Sequence, residues 1–320
     1  MTRTRLAFAA MGVLLAAQAA AQQYPTRPVR MVVPLTPASG ADIAGRIVGR
    51  QLTDAWKQTV VVDNRPGAGG LIGTQIVVRA APDGYTLLVQ SSSHAVNPAI
   101  YKNLPYDSLK DLADVASLGS APYAMVTAPA GPYRPLKSLI DAARSKPGEI
   151  PFASAGIGTS THLTGEYFAQ AAGVKMLHVP FKGSAEALAD VAAGRVAFYM
   201  APINTAIGLI KENRLAVLGV ATAKRITMLP NVPTIAEQGL AGFEMDVWFG
   251  LWAPSATPRP VLQKLAADIR SAMESREVRE QYAKLGIEPS TLFSDEFARF
   301  VRIEMKKYEQ VVRRADIPPM

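Results

Sequence analysis

The chain of 320 residues contains no cysteine. Disulfides, thiolate metal sites and a cysteine nucleophile are therefore excluded, and so is lipid anchoring, which requires a cysteine at the signal-peptide cleavage site. Histidine is almost as scarce. The three present, His94, His162 and His178, show no mutual ligand spacing, so neither a metal nor a cofactor is expected. Charged residues make up only 19%, and although the net charge is +8, no run of Lys and Arg is dense enough for a nucleic-acid patch. Beyond the N-terminus no apolar run approaches the ~20 residues needed to cross a bilayer. Gly and Pro number 24 each beside 49% hydrophobic residues, which excludes disorder and collagen-like repeats. What remains is a chain that buries a core, long enough for two lobes of roughly 150 residues each or one large α/β unit.

The first residues read as a secretory signal. Arg3 and Arg5 form a basic start, Leu6 to Ala17 an apolar stretch too short to span a bilayer, and Ala19-Ala20-Ala21 a small-residue cleavage site. The mature chain is expected to begin at Gln22, in the periplasm, and not as a lipoprotein.

From Val29 to Leu218 strand and helix signals alternate, as in parallel sheets with crossover helices. Val29 to Val33 reads as a strand, and Ser39-Gly40-Ala41-Asp42 has capping-box spacing before Ile43, Ile47, Val48 and Leu52 on one helical face. Strands Val60 to Asp63 and Thr86 to Val89 flank a glycine-rich turn, Arg65 to Gly70, and a helix, Leu71 to Ala80. After Pro129 the same grammar repeats through strand Pro151 to Ser154, loop Gly156-Ile157-Gly158, helix Thr161 to Ala172, strand Met176 to Val179, helix Ala185 to Ala193 and strand Val196 to Met200. In the last helix, Asp295 to Ala315, Phe297, Phe300, Val301, Met305, Tyr308, Val311 and Val312 keep a 3/4 spacing that fits packing back onto the first lobe. The expected division is a signal at 1–21, a first lobe from 22–120 plus 222–320, and a second lobe at 121–221. Two crossings, near Ser117 to Tyr123 and near Ala221 to Arg225, then form a two-strand hinge.

Several motifs dissolve when weighed. Gly158-Thr159-Ser160-Thr161-His162 nearly matches a nucleophile elbow, but His162 stands where the elbow needs glycine, and His178 abuts a strand end rather than an accessible loop. Gly67 to Gly73 follows a strand and precedes a helix, yet no acid ends the next strand, so close packing explains these glycines better than a dinucleotide does. Asp107, Asp111 and Asp114 lack EF-hand spacing and read as a solvated face. Two loops survive, Thr36 to Ala41 and Gly156 to Thr161. Each leads from a strand into a helix N-terminus and is built of small residues, so free N–H groups and a helix dipole make each a seat for an acidic group. Capped helix starts with no further role are the plainer reading of either loop alone.

The residues also resemble a known family. Val33-Pro34 before a small-residue loop with Asp42 and Arg46, Asp63-Asn64-Arg65-Pro66-Gly67-Ala68-Gly69-Gly70, Ala81-Pro82-Asp83-Gly84-Tyr85-Thr86-Leu87-Leu88, Asn97-Pro98, Gly156 to Leu163, Val179-Pro180-Phe181-Lys182-Gly183 and Ala253-Pro254 together are similar to the Bug receptors. These are extracytoplasmic solute-binding proteins of tripartite tricarboxylate transporters, and the likeness covers nearly the whole mature chain in order. It implies an α/β, two-lobed periplasmic binding protein fold of type II-like form, with a cleft between lobes that captures a small carboxylate reversibly. It also implies delivery to membrane permease subunits, a monomer, and no catalysis, cofactor, metal or nucleic acid. By position, the implied ligand-binding residues are Pro37, Ala38 and Ser39 in one lobe and Gly158, Thr159 and Ser160 in the other, with Ser92 and Asn204 as walls and Asp42 and His162 in support. Ala38-Ser39 replaces a glycine pair usual in the family, narrowing the loop and adding a hydroxyl, and Phe181 stands where tyrosine is common.

Two other functions fit the residues alone. One is an exported serine hydrolase using Ser160; the other is a periplasmic sensor that hands its ligand signal to a signalling protein. Turnover of an ester separates the first from a receptor.

Overall fold

The computed structural model describes residues 24–314 and 317. The signal Met1–Ala21 and the start at Gln22 lie outside the described residues. None of the described helices is long and apolar enough to cross a membrane.

Nine strands form one continuous, bent sheet in the order β2-β1-β3-β9-β4-β7-β5-β6, with β8 also on β4. On one side, β1 (Val29–Val33) pairs in parallel with β2 (Val60–Asn64) and β3 (Thr86–Ser91), and β3 pairs antiparallel with β9 (Asp246–Pro254). Nearly every residue of β1 is buried, as expected of a parallel strand covered on both faces. On the other side, β5 (Pro151–Ser154) pairs in parallel with β6 (Leu177–Pro180) and β7 (Phe198–Pro202). The two sides meet in β4 (Leu112–Thr127), whose Leu112 to Pro122 pair with β9 and whose Tyr123 to Val126 pair with β7. Its later half also pairs with β8 (Ala216–Val220).

The first crossing is thus a single 16-residue strand rather than a break between elements. Gly119 and Pro122 obscure it in the sequence, because both punctuate strands. In the structure each has a job. Gly119 sits at a register shift with φ 114°, and a Cβ there would lie 2.6 Å from Glu288 O. Pro122 sits where the partner of β4 changes from β9 to β7. The return crossing is tied beside it, since Ala221 N donates to Tyr123 O at 2.9 Å and Met245 N donates to Ala221 O at 2.8 Å.

Helices cover both faces: α1 (Gly40–Trp56), α2 (Leu71–Val78), α3 (Ser93–Ile100), α4 (Leu136–Ser145), α5 (Ser160–Ala171), α6 (Ser184–Ala192), α7 (Ile203–Lys211), α8 (Arg259–Glu274), α9 (Arg276–Leu285) and α10 (Ser294–Arg314). The expected elements are present within a few residues of their bounds. Helices α3 and α7 were not expected, because Pro98 interrupts the first and the second follows its strand without a polar loop. The apolar face of α10 packs on α3 and β4, with Phe297 against Trp248 and Trp252. Asp114 departs from the solvated-face expectation: it is half-buried, accepts from Trp252 Nε1 at 2.7 Å, and burial pushes its carboxyl pKa up.

Candidate functional site

Five strands end at the same place, and each hands the chain to a helix whose N-terminus faces the junction of the two sides. β1 leads to α1 through Leu35 to Ser39, β3 to α3 through Ser92, β5 to α5 through Ala155 to Thr159, β6 to α6 through Gly183, and β7 directly to α7. They enclose a cavity of about 20 Å³ lined by Thr36, Ser39, Gly40, Ser91, Ser93, Thr159, Ser160, Thr161, Gly183 and Ser184, among others, with Phe249 of β9 as an apolar wall. No Lys, Arg, Asp or Glu lines it. Its polarity therefore comes from hydroxyls, backbone amides and helix dipoles.

The first loop is set by α1. Ser39 caps the helix by accepting from Asp42 N at 3.3 Å, and Asp42 in turn accepts from Ala38 N at 2.9 Å. Asp42 is buried and also accepts from Asn64 Nδ2 and pairs with Arg46, each at 2.9 Å. Its charge is thus spent beneath the loop rather than in the cavity. Ala38 holds φ 62°, a left-handed conformation that costs an L-residue about 1–2 kcal/mol.

The opposing loop is set by α5. Thr159 caps it by accepting from His162 N at 3.3 Å, and donates its own hydroxyl to Gly156 O at 2.6 Å. The Ser160 hydroxyl accepts from the Tyr123 phenol at 2.8 Å, which ties the loop to the crossing strand. Burial pushes the Tyr123 pKa well up, so the phenol keeps its proton. At α6, Ser184 Oγ and Tyr199 OH lie 3.0 Å apart, and burial pushes Tyr199 up to about 12.

The loops touch across the junction. Ser160 N donates to Ser93 Oγ at 3.0 Å, Tyr101 OH donates to Ile157 O at 3.3 Å, and Asn204 Nδ2 donates to Gly40 O at 3.4 Å. With its amide nitrogen turned to donate, Asn97 reaches Gly158 O at 3.0 Å. A Cβ on Gly183 would lie 1.8 Å from Thr36 Oγ1, and one on Gly69 would lie 2.8 Å from Ile157 O, the latter being the close packing expected of the glycines of 67–73. A cavity of 20 Å³ holds about one water. Over this cavity the loops of the two sides are in direct contact. Outside the cavity, sharing Leu35, Ala155 and Thr159 with it, opens a pocket of about 560 Å³ that also takes in Tyr101, Phe181 and Lys182.

Of the expected site residues, Ser39, Thr159 and Ser160 line the cavity, and Asn204 closes it through Gly40. Pro37 and Ala38 do not: both are exposed, because Thr36 and Ser39 take the inward positions. Ala38 accordingly does not narrow the cavity, and the Ser39 hydroxyl is occupied by capping. Ser92 is buried behind the wall while its neighbours Ser91 and Ser93 face in, and Gly158 packs against the Tyr101 ring. Thr36 and Thr161 lie at the ends of the two loops expected to seat an acid, although neither was named individually, whereas Ser93 and Ser184 were not anticipated. The signal available for the last two was that each sits in the first turn of a helix following a strand.

The expectation that the histidines share no geometry fails for two of them. His162 stacks on His178 with ring centroids 4.0 Å apart, although one is on α5 and the other on β6. His162 Nδ1 accepts from Gly158 N at 3.4 Å, and His178 Nε2 lies 2.7 Å from Ser154 Oγ. Burial and the neighbouring His162 push the His178 pKa down to about 3. No described histidine hydrogen-bonds Ser160, whose hydroxyl is held by Tyr123.

A family model described as tripartite tricarboxylate transporter family receptor matches residues 44–317. Protein BugT of Bordetella pertussis is 36% identical over 320 residues, covering 98% of this chain and 98% of BugT. Among solved structures, R. palustris Rpa4515 with adipate aligns with a TM-score of 0.89 at 30% identity, covering 93% of this chain and all (100%) of that one. MatC from Rhodopseudomonas palustris with bound malate aligns with a TM-score of 0.85 at 29% identity, covering 90% of this chain and 100% of MatC.

Proposed function

Because the chain belongs to the tripartite tricarboxylate transporter family of receptors, we propose that it captures a small organic acid reversibly in its inter-lobe cleft and passes it to membrane permease subunits. The observation that carries this reading is the uncharged cavity ringed by helix N-termini from both sides of the bent sheet. A carboxylate there meets the dipole ends of several helices at once, together with the Ser93, Ser160 and Thr36 hydroxyls; the last is buried without a protein partner. Only the two sides together complete the ring. An acid therefore binds the closed state better than the open one and shifts the population toward it.

The lobes of this reading are 22–120 plus 222–320 and 121–221, hinged at Pro122–Tyr123 of β4 and at Ala221. The acid enters through the pocket at Phe181 and Lys182, and the chain works as a periplasmic monomer after losing Met1–Ala21. Adipate and malate, found with two of the structural neighbours, are the first probes. The hydrolase alternative is disfavoured because Ser160 is bound to a tyrosine rather than a histidine.

The test is a thermal-shift screen against C3 to C8 mono-, di- and tricarboxylates, with esters as controls. An acid at a hundred times its Kd adds about 2.7 kcal/mol to stability, enough for a shift of a few degrees. No shift with any acid, beside hydrolysis of an ester that Ser160→Ala abolishes, would replace this reading with the hydrolase.

A further inference from the structure

We propose that the bound acid carries an apolar, ring-shaped body, as an aromatic monocarboxylate does, and that this body lies in the outer pocket lined by the glycine-rich turn and Phe181. The inference rests on the receptor reading above and narrows its ligand class. The inner cavity, at about 20 Å³, admits the carboxyl head of a ligand and not its body. The body must then occupy the neighbouring space that shares Leu35, Ala155 and Thr159 with the cavity. That space, about 560 Å³, has the ordinary size of a small-molecule pocket, about 300–1,000 Å³.

The lining is mostly apolar and comes from both sides of the sheet. Leu35 and Tyr101 belong to the first side, and Ile157, Pro180 and Phe181 to the second. Gly67 to Gly70, with a single methyl at Ala68, add a wall made mostly of main chain, against which a planar ring lies flat. Ile157 is 45% exposed and Phe181 only partly buried, so a ring seated here covers apolar surface that water otherwise touches.

A polar far end gains little in the same space. The Thr159 hydroxyl donates to Gly156 O at 2.6 Å and the Tyr101 hydroxyl to Ile157 O at 3.3 Å, so both donors are already engaged. Among the described residues, Lys182 is the sole charged side chain on the lining, and it is exposed, where an ion pair contributes little. A second carboxylate or a hydroxyl would therefore leave water for apolar surface without replacement, which disfavours short polar acids against ring acids.

The experiment is titration calorimetry with benzoate, phenylacetate and malate on wild type, Phe181→Ser and Ile157→Ser, each checked for folding by its Tm. In wild type the tighter of the two ring acids should bind at least tenfold more tightly than malate. Phe181→Ser should weaken that ring acid at least tenfold and Ile157→Ser several-fold, while malate should move less than twofold in either. Ile157 lies in an exposed loop position, so its substitution keeps the test open if Phe181→Ser fails to fold. Ring acids that bind no better than malate, or whose affinity is unchanged by folded Phe181→Ser or by Ile157→Ser, would overturn the proposal while binding of any other acid leaves the receptor reading standing. Absence of binding by every C3 to C8 acid would defeat that reading, and this proposal with it.

Discussion

Replacing Tyr123 by Phe removes one hydroxyl from the strand that joins the two sides of the sheet and leaves its ring in place. That hydroxyl donates to Ser160 Oγ at 2.8 Å, and both residues are buried. Tyr123→Phe therefore loses one hydrogen bond, a cost of about 0.5–1.5 kcal/mol. Ser160→Ala costs more, about 1–3 kcal/mol, because it strands a phenol that burial prevents from ionising. In the double variant no phenol remains to strand. The two costs should then fall short of additivity by about 1 kcal/mol, nearer the lower end because Ser92 and Thr164 also lie within reach of the phenol. Urea denaturation of the four proteins measures the cycle. Additivity within about 0.3 kcal/mol would refute the claim that β4 anchors the glycine loop through this pair.

Three further outcomes follow from single sites. Ala38→Gly should raise the unfolding free energy by roughly 0.5–1 kcal/mol, and the urea midpoint with it, since the exposed Ala38 holds φ 62° and loses little packing; a lower midpoint would contradict that conformation. Asp42→Asn should cost roughly 1–3 kcal/mol of stability, the worth of charge-assisted hydrogen bonds, yet leave acid affinity within a few-fold in calorimetry; a selective loss of affinity would make Asp42 a ligand contact. Burial pushes His94 down to about 3, so between pH 6.5 and 3 only the unfolded chain takes up its proton and stability falls as pH drops, by up to ~1.4 kcal/mol per unit. His94→Phe should flatten that decline. Comparing it with wild type cancels Asp246, whose carboxyl, raised by burial to about 6, acts with the opposite sign; equal slopes would show His94 to be protonated in the folded state.

The parts of the fold that local chemistry dictates were legible. A hydrophobic run bounded by Pro34, a Ser39 cap and a 3.6-residue stripe suffice to define β1, the loop and α1. What stayed hidden depends on partners far away in the chain. Gly119 and Pro122 disguise β4 because their roles, a bulge beside Glu288 and a change of partner strand, exist only in the assembled sheet. The stacking of His162 on His178 depends in the same way on β6 lying beside α5. Within the site, loop identity was readable but facing was not. Ala38 and Ser39 are adjacent, yet a left-handed φ at Ala38 sends one to solvent and leaves the other at the helix cap.

The central claim is that the acid is held by helix N-termini and hydroxyls rather than by a side-chain cation. Titration calorimetry with the acid that most raises Tm, adipate and malate included, measures it on wild type, Ser160→Asp and Lys182→Ala, each checked for folding by its Tm. A carboxylate at Ser160 stands about 4 Å from the ligand's own, where repulsion is about 4 kcal/mol at an effective dielectric near 20. Ser160→Asp should therefore lose at least a hundredfold in affinity, and Lys182→Ala, at the mouth of the cleft, should stay within a few-fold of wild type. Near-normal affinity in Ser160→Asp beside abolished binding in Lys182→Ala would contradict the account and place the ligand on an ion pair in the outer pocket.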